Sequence, residues 1–180
     1  MSANRAMGVF ATALALAMAT SACSANAPGQ MAASTRDQEQ SAPATSQYGL
    51  TLLPLTIATD QGEHIFTVEL AETIDQQARG LMFRTELDAD KGMIFPFPTP
   101  KQASFWMKNT VIPLDIIFIR EDGTIESIAA NTTPYSLDSV SSGEPVAAVL
   151  ELRGGRAAEL GITPGAKVTW TIPGRQPAKG

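Results

Sequence analysis

Four consecutive residues, Ile116-Ile117-Phe118-Ile119, constrain the fold more than any other stretch of this 180-residue chain. Side chains alternate between the two faces of an extended strand, so an unbroken run of branched and aromatic residues needs cover on both sides. The run ends at Glu121-Asp122-Gly123 and is followed by a second apolar segment, Ile125 to Ala130. Asp-Gly between two such segments is a strong short-range hairpin signal. Asp115 to Ile119 is therefore read as a central strand, buried on both faces and paired with its successor.

The rest of the chain repeats the theme with clearer alternation. Leu53, Leu55 and Ile57 alternate with Pro54 and Thr56, Asp60-Gln61-Gly62-Glu63 offers a turn, and Phe66, Val68 and Leu70 alternate again, which makes a first hairpin. Thr73 and Gln76 have capping-box spacing, and Ile74, Ala78, Leu81 and Met82 share one helical face, predicting a short helix over 74–82. Met93-Ile94-Phe95 and Ser104 to Met107 read as short strands separated by the proline-rich loop Pro96 to Pro100. Val146 to Leu152 is a further strand, Gly154-Gly155 leads into a helical turn that Gly161 ends, and Pro164-Gly165 fits a type II turn before a last strand, Lys167 to Ile172. The fold class this predicts is mainly β (α+β): a small, partly closed β-barrel or sandwich of seven to eight strands with two short helices.

Residues before this region do not resemble a folded domain. Arg5 is the only charged residue among the first 35, and Met7 to Ala19 is an apolar stretch of signal-peptide length, too short to span a bilayer. Thr20-Ser21-Ala22-Cys23 resembles a bacterial lipobox, in which the cysteine is lipidated; the rival is ordinary cleavage after Ala25-Asn26-Ala27. The expected organisation is a signal peptide over 1–22, a lipidated Cys23, a disordered Ser/Ala/Gln/Pro/Thr-rich tether over 23–48, one β-rich domain over 49–173 and a disordered tail over 174–180. Such a protein faces the periplasm, with the membrane as partner through its lipid anchor. Ser24 after the cysteine favours the outer membrane.

Composition removes several chemistries. Thirteen Lys and Arg against 18 Asp and Glu give a net charge of −5, and loss of Arg5 with the signal takes it to −6, which argues against a nucleic-acid partner. Lipidation of the only cysteine leaves no disulfide, thiolate nucleophile or Cys-based metal site. His64 is the only histidine and no serine sits in G-x-S-x-G, so neither a hydrolase triad nor a zinc site is supported. Gly154-Gly155 lacks the lysine and spacing of a phosphate loop. Met82, Met93 and Met107 offer soft ligands for Cu(I), although methionines at strand and helix spacing ordinarily belong to a core. No metal or cofactor is expected.

Blocks of sequence then carry a resemblance. Arg79-Gly80-Leu81-Met82-Phe83-Arg84, Gly92-Met93-Ile94-Phe95, Phe105-Trp106-Met107-Lys108-Asn109-Thr110 with Pro113-Leu114-Asp115, and Val149-Leu150-Glu151-Leu152 ahead of Gly155 follow one another in the order and approximate spacing of a bacterial and archaeal family. Over roughly residues 55 to 170 the chain resembles the family of domain of unknown function 192. The resemblance implies a compact, mainly β fold and a set of positions, not an activity.

Candidate site residues follow from the side chains in those blocks. Trp106 offers a stacking platform with Lys108 and Asn109 as donors beside it, while the bland alternative lays Trp106 across a barrel mouth with the Lys108 stem packed on it. Arg79 and Arg84 could converge with Lys108 into a basic cleft for a carboxylate, phosphate or acidic sugar, or pair with nearby Glu72, Asp75, Glu86 or Asp88. Asp115 and Glu151 sit beside apolar strand residues, where a charge is costly unless paired. The leading expectation is a non-catalytic domain that binds a polar or anionic small molecule or an envelope glycan. Two alternatives stand beside it: a glycan hydrolase using Asp115 and Glu151 as acid and base, and a structural or assembly lipoprotein with a protein partner.

Overall fold

The computed structural model describes residues 43–174, so the signal-like segment, Cys23, the tether up to residue 42 and residues 175–180 lie outside the described residues. Alternation builds the first hairpin as expected: β1 (Leu52–Thr59) pairs antiparallel with β2 (Gly62–Leu70), and Leu53, Leu55, Ile57, Phe66, Val68 and Leu70 bury together. Contacts begin somewhat before Leu50, where Leu52 N donates to Ala44 O and the Tyr48 ring lies under the Arg84 guanidinium, 3.1 Å from its carbon.

The chain then crosses through α1 (Ile74–Arg79) to β3 (Lys91–Lys101), which runs parallel to β2. The capping box forms as its spacing predicts, with Thr73 Oγ1 accepting from Gln76 N and Gln76 Oε1 accepting from Thr73 N. The helix is shorter than 74–82 and buries no residue; Ile74 is 86% exposed. Its attachment is polar instead, because Gln77 Nε2 donates to the carbonyls of Ala71 and Pro96. Gly80, at φ 48, ends the helix, and Leu81 is buried only beyond that break.

The proline-rich segment is part of β3 rather than a loop. Pairing with β8 (Val146–Arg153) runs regularly to Pro96↔Ala148 and resumes at Lys101↔Val146, so Pro98 and Pro100 fall in the irregularity, where no ladder donor is required of them. Between these strands lie β4 (Ser104–Phe105), β5 (Leu114–Ile119), β6 (Ile125–Ala129) and β7 (Val140–Ser141); α2 (Arg156–Glu159) and β9 (Lys167–Trp170) follow. Nine strands are thus present among the described residues: β4 is a shortened form of the strand read over Ser104 to Met107, and its two-residue partner β7 is the one strand not read from the sequence.

Seven strands form one sheet in the order β6-β5-β8-β3-β2-β1-β9, curled into a half-barrel. Its two edges touch only at the starting ends of β6 and β9: Ile125 N donates to Ala166 O, Val168 N to Gly123 O, and Thr124 bridges Lys167. One cluster, with members from β1, β2, β3, β5, β6, β8 and β9, fills the inside of the curl. A second covers the outer face of β3, β5 and β8 and includes Leu81, Ala103 and Met107 from the segments laid over it. β5 lies second from one edge rather than in the middle, yet is buried throughout, with Ile117 and Ile119 in the inner cluster and Leu114, Ile116 and Phe118 in the outer. Gly92 lets β3 approach β8, since a Cβ there would lie 2.6 Å from the Glu151 carbonyl oxygen.

Candidate functional site

The outer layer is not filled completely. Residues 77–82 and 101–106 overhang the sheet, leaving a cleft of about 380 Å³ between them with Phe95, Phe97, Thr110 and Glu151 in its lining. Strand parity puts Glu151 there. Its neighbours Val149 and, across the ladder, Met93 and Ile116 all belong to the outer cluster, whereas Leu150 and Leu152 point into the barrel.

Glu151 is an unusual floor for such a cleft. The residue is 5% exposed, and its Oε2 is sealed from solvent with no hydrogen-bond partner among the described residues. Burial pushes the carboxyl up to about 8. At neutral pH it is therefore a carboxylic acid with a proton to donate and an oxygen to accept, where nearly every buried polar group in a protein is satisfied.

Cations stand at the rim. Arg79 and Lys101 line the cleft, and no ion pair with another described residue engages either of them or Lys108. Lys101 Nζ lies 4.2 Å from the Phe97 ring centroid, and Lys108 Nζ lies 5.2 Å from that of Trp106. Trp106 itself lines the cleft and is 49% exposed, while Met107 beside it is buried, so the alternation read for this segment holds although β4 stops at Phe105.

The seven residues singled out in the sequence thus divide. Arg79, Trp106 and Glu151 come together at the cleft, and Lys108 lies against Trp106. Asn109 occupies a turn at φ 56, its carbonyl accepting from Phe83 N and its Nδ2 donating to Met82 Sδ. Arg84 does not converge with them: it forms a two-pronged pair with Glu69 and stacks on Tyr48. Asp115 is fully buried away from the cleft, with Oδ1 accepting from Asn131 N and Gly155 N and Oδ2 from Ala157 N.

The acid and base pair is excluded by register. Asp115 faces Leu152, an inner-cluster residue, while Glu151 faces Ile116, an outer-cluster residue. The two carboxyls lie on opposite faces of the same sheet and cannot flank one glycosidic bond. Lys101 and Phe97 escaped the sequence reading because the prolines between them read as a loop, whereas the strand carries both onto the cleft.

A family profile for domain of unknown function 192, described as Uncharacterized ACR, matches residues 56–170. The chain belongs to this family. A relative of known structure, a protein of unknown function from Novosphingobium aromaticivorans DSM 12444, is 51% identical with a TM-score of 0.70, over 73% of this chain and 95% of its own. Another, from Sinorhizobium meliloti 1021 and proposed to be a transcription regulator, is 41% identical with a TM-score of 0.65, over 67% of this chain and 95% of its own. No curated protein matches the chain. The DUF192 blocks read from the sequence acquire two physical roles: Arg79 to Met82, Phe105-Trp106, Thr110 and Glu151 line the cleft, whereas Gly92 and Asp115 serve folding.

Proposed function

We propose that this DUF192 domain is an envelope-anchored binding domain without catalysis, whose outer cleft takes a polar or anionic small molecule or a glycan end. The observation that carries the reading is Glu151, a buried carboxyl at the floor of a cleft lined by Arg79 and Lys101, with its Oε2 unpartnered and both cations outside any ion pair among the described residues. A folding role would have supplied that oxygen with a partner or replaced it with an apolar side chain. Export and lipid anchoring rest on Met7 to Ala19 and Cys23. The Sinorhizobium relative's proposed role in transcription finds little electrostatic footing here, because a domain that binds nucleic acid ordinarily presents a basic face and this chain is acidic.

The test is thermal melting of the protein against acidic sugars, glycan fragments, phosphates and dicarboxylates. A ligand at one hundred times its dissociation constant adds about 2.7 kcal/mol. Trp106→Ala, at a half-exposed position, is expected to lower the melting point by no more than a few degrees, yet to abolish the ligand-induced rise, as is Arg79→Ala. If a ligand stabilises both variants as much as the wild type, the cleft is not its site.

A further inference from the structure

Three exposed aromatic residues belong to the segments that form the cleft or adjoin it: Trp106 lines it, Phe83 follows the lining residue Met82, and Tyr135 is hydrogen-bonded to the lining residue Thr110. Phe83 is 64% exposed, Tyr135 61% and Trp106 49%. They come from three segments joined backbone to backbone: Phe83 N donates to Asn109 O at 2.8 Å, Tyr135 N to Thr110 O at 3.1 Å, and Met107 N to Ser136 O at 3.0 Å. Met82, Trp106 and Thr110, the nearest residues of that seam, line the cleft itself.

Two of these rings sit on strained backbone. Phe83 has φ 64 and Tyr135 φ 61, the left-handed region, where a bulky side chain is a genuine outlier and where Gly or Asn sits readily. An exposed ring recovers little of that strain by packing. Folding therefore gives no reason for an aromatic residue at either position, and such strain is characteristic of surfaces that hold a ligand.

We infer that the cleft is the end of a longer site, and that it receives the acidic, hydroxyl-bearing terminus of a glycan chain whose next sugars stack across Trp106, Phe83 and Tyr135. The inference rests on the binding reading above and deepens it. Sugar rings present apolar C–H faces to aromatic rings and hydroxyls at their edges, which matches rigid amphipathic side chains around a polar pocket. A hydroxyl can both accept from and donate to the protonated Glu151, and a terminal carboxylate suits the unpaired Arg79 and Lys101. Lys108 against the Trp106 ring and Asn109 within the seam break up the apolar surface, which favours a polar chain over a lipid face. The cations also stand out on an acidic chain, giving an anionic chain its complement.

Calorimetric titration of the purified full chain at pH 6.5 tests this, with galacturonic acid, its linear tetramer, neutral chitotetraose and anionic phospholipid vesicles as probes. The expected result is that the acidic tetramer binds at least tenfold more tightly than the monosaccharide and than chitotetraose. Phe83→Asn and Tyr135→Asn, which suit a left-handed backbone and so leave the fold intact, are expected to remove the tetramer's advantage while sparing the monosaccharide. Binding of the monosaccharide with no gain from chain length overturns the extended site and leaves the cleft standing. Binding of a phosphate or dicarboxylate in the melting panel, with neither sugar acid bound, overturns the glycan and again leaves the cleft. Failure of every probe, with no shift in that panel, removes both readings. Vesicle binding that Tyr135→Asn abolishes makes the aromatic surface a membrane contact and overturns the inference.

Discussion

Glu151→Met is expected to make the protein more stable, by an amount that grows with pH. The unfolded chain ionises this residue near the ordinary 4.5, the folded chain only near 8. Below 4.5 both states hold the proton, so the residue's titration takes nothing from stability. Between 4.5 and 8 the folded state keeps a proton that the unfolded state has released, and stability falls as pH rises. At about 1.4 kcal/mol per unit, the loss is roughly 3 kcal/mol by pH 7 and levels off near 5 kcal/mol above pH 8. Methionine has nearly the same length, no charge and no oxygen to leave unpaired. Relative to wild type, the variant's melting point should therefore be little changed at pH 4 and higher by roughly 10 °C at pH 7, at about 3 to 5 °C per kcal/mol for a domain of this size. A difference between variant and wild type that stays flat from pH 4 to 9 would show that Glu151 does not titrate as a buried acid.

A buried carboxyl whose Oε2 has no partner among the described residues calls for a reason outside folding. Stability given up at a particular group is the usual mark of a functional site. The stabilised Glu151→Met variant should also lose whatever ligand the wild-type cleft binds, which separates a site residue from one that is merely misplaced.

How much of this was legible beforehand depended on the range of the interaction that decides each feature. The Thr73 and Gln76 capping box, the Asp122-Gly123 hairpin and the Pro164-Gly165 turn involve neighbours within a few residues, and each formed where its spacing put it. The strand that carries Glu151 was legible too, and parity within it separates Glu151 from Leu150 and Leu152. What parity cannot give is the register between strands, and that alone places Asp115 and Glu151 on opposite faces. The parallel pairing of β2 with β3 and the passage of β3 through its prolines are likewise decided by distant partners. The convergence of Arg79 with Lys101, rather than with Arg84, follows from them. Arg84 was drawn away by Glu69 and Tyr48, 15 and 36 residues earlier in the chain, neither of which a local scan of charges would pair with it.

Asp115→Asn is expected to be among the most damaging single substitutions in the domain, and to act through folding alone. One carboxylate gathers three backbone N–H groups at 2.7, 2.9 and 2.7 Å from Asn131, Gly155 and Ala157. It thereby fixes the chain leaving β6 and the turn into α2 against β5, and Gly155, at φ 82, reaches the geometry that presents its N–H. Asparagine supplies one oxygen in place of two and turns an N–H₂ group toward at least one donor. Each orphaned buried donor costs about 1–3 kcal/mol and charge-assisted bonds more, so a total loss of roughly 4 kcal/mol is expected, a large part of the 5–15 kcal/mol that holds most domains together. The melting point should fall by about 12–20 °C. Amide exchange at Ala157 should accelerate more than exchange at Ile57 in β1, because the bonds lost are local to Asn131 and the start of α2. Full ligand binding by the folded fraction of Asp115→Asn would agree with its distance from the cleft. A variant that melts like wild type while losing ligand would move Asp115 from the scaffold to the site.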